Sequence, residues 1–272
     1  MCSRGAKPPS AFLYQTGFTL IELIMVLVIA GIITVMSINF ISQTTSGYQD
    51  AATRQQMATL GWLASEKLSR ELRNALPNSV RLNASGRCLE FMPTVAASHY
   101  ISVPWMVAAD RFNGVRIRGY GGGGSNERVA VYPDDPLAIY AQSNPGPVSV
   151  STVDQVNTVS GDEIQVVLSA AHQFLASSPE KRFYITGNPV TYCFQGARLY
   201  RYREYGVQAT IGAALLNEEV IVDRILAGSG GFEVTVASLT RNSVIRMFFT
   251  VTDSGSGEFQ QIDQEVQVRN VP

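Results

Sequence analysis

The sequence predicts an α+β chain, with one long N-terminal helix followed by an antiparallel β-rich head. Three observations predict it. An uncharged apolar run extends from Leu23 to about Ile41, with no charge between Glu22 and Asp50. A three- and four-residue apolar repeat continues as far as Leu76 and stops at Pro77. Beyond Pro77 the apolar spacing shortens to that of strands, punctuated by Gly, Asn, Asp and Pro.

The apolar run is long enough to cross a bilayer, which takes about 20 residues in a helix. Its anomaly is Glu22. A carboxylate in a membrane helix costs roughly 2.5–3.5 kcal/mol on insertion scales. The helix macrodipole returns only about 0.3–1 kcal/mol of that near the N-terminus. A secretory signal peptide fits poorly, because the apolar stretch is too long and no small-x-small cleavage site follows Met36. A plain signal-anchor accounts for the hydrophobicity and gives Glu22 no reason to be there.

Gly17 followed by Phe18-Thr19-Leu20-Ile21-Glu22 and an apolar helix resembles the class III leader junction of type IV prepilins and pseudopilins. The resemblance implies a pilin-like fold and cleavage after Gly17 by a prepilin peptidase on the cytoplasmic face. It implies N-methylation of the new terminus at Phe18. It also implies that Glu22 pairs with the terminal amine of a neighbouring subunit, a partner that a plain anchor lacks. Shorter segments further along are similar to MshO, a family of minor pilins that serves biogenesis of the mannose-sensitive haemagglutinin (MSHA) type IV pilus. They are Glu71–Val80, Gly86–Phe91, Tyr192-Cys193, Leu199–Tyr202 and Glu265–Pro272.

The domain organisation follows: a leader over 1–17, an N-terminal helix over 18–76 with 18–41 membrane-spanning, and a β-rich periplasmic head over 77–272. Arg4 and Lys7 precede the apolar run and no acidic residue does, which holds the leader in the cytoplasm. The expected location is the inner membrane, single-pass, and then a pilus. The expected partners are the membrane, the prepilin peptidase, other major and minor pilins and the pilus assembly machinery. The head of roughly 195 residues is large enough for a core of its own. A net charge of −1 gives no electrostatic footprint for nucleic acid.

A helix from Phe18 to about Ala75 is ~90 Å long. In its second half Met57, Leu60, Ala64, Leu68, Leu72 and Leu76 form one stripe, with Glu66–Arg70 and Lys67–Glu71 as i,i+4 pairs on the other side. Gly31, Gly47 and Gly61 each weaken the helix by about 1 kcal/mol relative to Ala. They are either bend points or places of close packing. Strands are expected at Val80–Leu82 and Arg87–Phe91, around the turn Asn83–Gly86. Residues 94–160 read as irregular surface loops with short strands near Val115–Ile117 and Val129–Tyr132. Further strands are expected at Ile164–Leu168, Phe183–Thr186, Val190–Phe194, Leu199–Tyr202, Val220–Ile225, Phe232–Val236, Val244–Thr252 and Ile262–Val268. Hairpin turns fall at Gln195–Ala197 and Asp253–Gly257.

Of three cysteines, Cys2 lies in the leader. Cys88 and Cys193 remain as a pair for an oxidising compartment, either a disulfide or two buried thiols. No chemical motif stands out. The glycine run 121–124 lacks the Lys and helix of a phosphate loop. His99 and His172 lie far apart, and no Cys/His cluster has zinc spacing. Asp134-Asp135 and the Asp253–Glu258 turn lack the spacing of a known calcium loop and read as solvated turns. No nucleophile-elbow sequence is present. Trp62 and Trp105 are expected as core or interface anchors. The reading is a structural subunit without catalytic residues, metal or cofactor. The alternatives are a type II secretion pseudopilin, or a membrane-anchored periplasmic enzyme or adhesin with a binding site in residues 94–160.

Overall fold

The structure, a computed structural model, describes residues 17–122, 124, 126–212, 214–235 and 242–268. The chain divides into two compact units, one ending at Ala52 and one beginning at Thr53. The helix α1 (Leu20–Arg73) runs through this boundary without interruption.

In the first unit every described residue from Gly17 to Ala51 is exposed, including the whole apolar run. Several of its hydroxyls bond back within the helix. Thr34, Ser37 and Thr44 donate to the carbonyls of Ala30, Ile33 and Phe40, each at 2.7 Å. Such internal satisfaction is what a helix needs where water is absent. It is the one described helix long and apolar enough to span a membrane.

In the second unit α1 buries Met57, Gly61, Ala64, Ser65, Leu68, Ser69 and Leu72. The stripe is narrower and smaller than the sequence suggests, since Leu60 is only half-buried. Small side chains let the helix lie close to the sheet. A Cβ on Gly61 would stand 2.2 Å from Ile262 Cδ1 and 2.6 Å from its Cγ1, so this glycine serves close packing. Gly31 and Gly47 have open space around them. Gly61→Leu is therefore expected to destabilise the head by about 1–3 kcal/mol through overpacking, outweighing its better helix propensity. Urea denaturation checks this, and an unchanged midpoint would mean that Ile262 yields freely.

The helix ends at Arg73, slightly earlier than its periodicity implies. Pro77 disfavours the α region for Leu76, and the chain is already pairing: Ala75 bridges Pro93, and the Leu76 N–H donates to the Met92 carbonyl at 2.7 Å. The strands that follow are β1 (Arg81–Leu82), β2 (Cys88–Phe91), β3 (Thr94–His99), β4 (Ala109–Val115), β5 (Arg128–Ala130), β6 (Val153–Ser160), β7 (Glu163–His172), β8 (Arg182–Thr186), β9 (Val190–Gln195), β10 (Arg198–Tyr202), β11 (Glu219–Val222), β12 (Gly231–Thr235), β13 (Ser243–Thr252) and β14 (Phe259–Val268). A short helix α2 (Pro136–Tyr140) lies between β5 and β6.

A five-stranded sheet has the order β1-β2-β9-β10-β11, and three three-stranded sheets are β12-β13-β14, β3-β8-β5 and β4-β7-β6. All pairings between these strands are antiparallel. One core joins the α1 stripe to the five-stranded sheet and to β12–β14, around Leu89, Phe91, Tyr192, Phe194, Ile245 and Phe249. A second core, around Phe112, Val129, Val166, Phe174 and Phe183, lies among the strands of the other two sheets.

That second core corrects the reading of residues 94–160 as irregular. They contribute β3, β4, β5, α2 and β6. The strand over Val115–Ile117 is the tail of β4, which ends at Val115, and the one over Val129–Tyr132 is β5, ending at Ala130. β3 (TVAASH) is half-exposed along its length, and β6 (VDQVNTVS) is nearly all exposed after Val153. Strands held chiefly by main-chain ladders leave little apolar alternation to read. Elsewhere the strands fall where expected within a few residues, except that β11 stops at Val222 and Ile225 keeps only a single bridge, to Val251.

One further expectation is corrected and another is narrowed. Glu66 and Arg70 pair as predicted, but Lys67 turns to Glu219 at 2.5 Å and Glu71 to Arg201 at 3.1 Å. Arg201 also reaches Glu219 at 3.3 Å. The four residues tie α1 to β10 and β11, where partial burial rewards charge pairing more than the solvated helix surface does. Of the two readings of Trp62 and Trp105, their 63% and 45% exposure removes the core one and leaves the interface one.

Candidate assembly site at the helix start

Gly17 and Phe18 precede the helix, so the peptide bond between them lies outside regular structure. Thr19 is the N-cap: its Oγ1 accepts the Glu22 N–H at 3.3 Å. A Thr with Glu three residues on is the pattern of a capping box. The cap starts the helix immediately after the junction and sets Glu22 in its first turn. Glu22 is exposed, and among the described residues its carboxylate has no cationic partner. Around it Leu20, Ile21, Leu23, Ile24 and Met25 are also exposed. Covering that apolar surface without bringing a cation to the acid would leave a desolvated, unpaired charge.

Residues 13–38 match the family described as the prokaryotic N-terminal methylation motif. The match supports a class III leader of the kind found in type IV pilins and pseudopilins. The matched stretch contains Gly17, Phe18 and Glu22 and ends inside the apolar run; it does not reach the head. No curated protein and no solved structure matches the chain. The long apolar helix and the antiparallel β-rich head are those of a pilin-like α+β fold.

In the head, Cys88 and Cys193 are bonded to each other. They face each other directly in the β2–β9 ladder, with Cα atoms 4.2 Å apart. The Phe194 N–H donates to the Arg87 carbonyl, which makes 88/193 the closely spaced, non-hydrogen-bonded kind of pair. The bond thus joins the second strand of the head to the middle strand of the five-stranded sheet.

The most elaborate polar cluster is one that the sequence does not announce. Glu90 on β2 is fully buried and ion-paired to Arg81 on β1, its direct partner across the hairpin. Glu90 Oε1 also accepts from Tyr205 Oη at 2.9 Å and Thr191 Oγ1 at 3.3 Å. Burial, with the Glu90 charge beside it, pushes the Tyr205 hydroxyl well above the ordinary tyrosine range and keeps it a donor. The Arg81 guanidinium donates to the carbonyls of Gln208 and Ala209 at 2.6 and 2.7 Å and stacks on Tyr140, 3.5 Å from the ring centre. The cluster is closed and self-satisfied. It holds the 205–209 segment and α2 against the sheet and leaves no group free for chemistry. Its one sequence signal is an acid between two apolar residues in a strand, with an Arg the same distance beyond the turn.

The acidic turns have structural work. Asp135 caps α2, accepting the Leu137 N–H at 2.9 Å. Asp253 Oδ2 accepts the N–H of Ser256 at 2.8 Å and of Gly255 at 3.2 Å, and these donors hold its carboxyl below the usual range. His99 is exposed, whereas His172 is buried with its Nε2 3.0 Å from the Gly146 carbonyl. Among the described residues no three His, Cys, Asp or Glu side chains gather as metal ligands would. A depression near residues 94–160, of about 450 Å³, is lined by Gln142, Asn144, Val150, Ser151 and Ser169 to Ala171. A second, of about 350 Å³, is lined chiefly by Val103, Pro104, Trp105, Met106 and Val107. Its one charged side chain, Arg111, is held by Asp110 at 3.0 Å, so no set of free polar groups converges there.

Proposed function

We propose that this chain is a minor pilin, a structural subunit that helps to initiate or complete a type IV pilus, and that the pilus is of the MSHA kind. The observation that carries the reading is the coincidence of the leader match with an exposed, unpaired Glu22 at the head of an apolar helix. The leader and the single apolar helix fit a protein anchored in the inner membrane. In the proposed sequence of events the prepilin peptidase cuts after Gly17 and Phe18 is methylated. Glu22 then docks on the Phe18 amine of a neighbouring pilin, and the assembly machinery draws the subunit into the filament. The chain does no bond chemistry of its own. The MSHA assignment rests on the short segments similar to MshO.

Gly17→Val is expected to block processing, because the peptidase must approach a junction without a side chain. Intact-mass analysis of the membrane form reads the outcome. The parent should begin at Phe18 and the variant should retain its leader; a parent chain still starting at Met1 or Cys2 in cells with active peptidase would end the proposal. Shearing then separates the two filament systems. The mature chain should leave the cell with pili, whereas a secretion pseudopilin would stay behind and its deletion would impair export.

A further inference from the structure

Among the described residues the outer edge of β14 is open. The Asp253 N–H donates to the Glu258 carbonyl at 3.0 Å, which sets the phase of the ladder that follows. Gln260, Ile262, Gln264, Val266 and Val268 therefore direct their main-chain groups at β13, and Phe259, Gln261, Asp263, Glu265 and Gln267 direct theirs away. Among the described residues none of these five outward N–H groups has a protein partner; of the carbonyls, that of Glu265 accepts from Gln264 Nε2 at 3.2 Å. All five residues are exposed.

The edge is also straight and firmly backed. β13 and β14 pair from Ser243/Val268 to Thr252/Phe259 without a shift in register. The other face of β14 is fixed, with Val266 and Val268 buried and Ile262 packed on Gly61. Edges are commonly blunted by charged side chains, Lys above all, or by Pro, a bulge or shortness, and here the only such device is the acidic pair Asp263 and Glu265. Within its described length β14 has no Lys, Pro or bulge, and a row of unpaired donors and acceptors at strand spacing is complementary to another extended chain.

Charge selects which chain. Arg246 is shared between Asp263, at 2.5 Å, and Glu233, at 3.1 Å, while among the described residues Glu265 has no ion pair. The exposed face beside the edge is thus acidic. A second copy of the chain, paired antiparallel edge to edge, would in its two longest registers set Asp263 against Asp263 or against Glu265. Like charges directly opposite are destabilising.

We propose that the β14 edge is a docking site for an extended segment of a different protein, added as a further strand and carrying Lys or Arg opposite Asp263 and Glu265. The edge is present whichever filament the chain joins. Two short peptides alternating valine with lysine, or valine with glutamate, test it on the full chain in detergent by amide hydrogen exchange. The lysine peptide should slow exchange at Gln261, Asp263 and Glu265 about tenfold or more and the glutamate peptide should not. Gln261→Pro removes one outward donor, leaves the β13 ladder intact and should weaken the lysine peptide about tenfold. Glu265→Lys should reverse the preference between the peptides. In both variants unchanged protection of the β13 amides shows that the sheet is intact. Equal protection by both peptides, protection by neither, or outward amides already protected by self-association would each overturn the proposal.

Discussion

Replacing Glu90 by Ala is expected to be among the most damaging single changes in the head, costing about 3–5 kcal/mol. The loss is not that of one attraction. It leaves the Arg81 guanidinium, whose side chain is only 14% exposed, without its counter-charge. Removing one partner of a buried pair typically costs that much, because the other ion stays desolvated. Tyr205 and Thr191 lose their shared acceptor at the same time. The double variant Arg81→Met with Glu90→Leu should cost less than Glu90→Ala alone, since it removes both charges and fills the space. Urea midpoints of the three proteins decide it. A Glu90→Ala cost below about 1 kcal/mol would show that water reaches the pair.

Loss of the Cys88–Cys193 bond is expected to cost a similar amount, about 2–5 kcal/mol. The bond closes a loop between residues 105 apart, which in the chain-entropy model removes much of the freedom of the unfolded chain. It also clamps β2 to β9 at the centre of the sheet on which α1 lies. The Cys88→Ala, Cys193→Ala chain, or the parent under reductant, should unfold at a clearly lower urea concentration. Equal midpoints for the oxidised and reduced parent would show that the bond contributes nothing.

How much of this was legible follows from which signals are local. The helix was readable because its apolar residues recur at helical spacing over many turns and Pro77 ends it. The β9–β10 and β13–β14 hairpins were readable because Gly196 and the Asp253–Gly257 turn interrupt strongly apolar strands. β3 and β6 were not, because Ala, Ser, Asn and Gln side chains on half-exposed strands carry no two-residue rhythm. The disulfide was legible in identity, since two cysteines lie outside the leader, but not in register. The ion pairs were the least legible. Lys67 and Glu71 have helical spacing, yet each finds a partner on the sheet, Glu219 and Arg201, that no local rule can place. The candidate assembly site is the reverse case: Gly17, Phe18, Thr19 and Glu22 fall within six consecutive residues, so junction, cap and charge can be read together.

The central claim is that Glu22 acts in docking between subunits. Incorporation of Glu22→Leu is the measurement that tests it most directly. On this account Glu22 in the membrane would carry a solvation cost of roughly 2.5–3.5 kcal/mol, which a neighbour's Phe18 ammonium would relieve only once two helices are in register. Glu22→Leu should therefore insert at least as well as the parent, be cleaved after Gly17, and be missing from sheared filaments and from crosslinks to other pilins. Glu22→Gln should fall between the two. A Glu22→Leu chain that is cleaved, incorporated and functional like the parent would contradict the account.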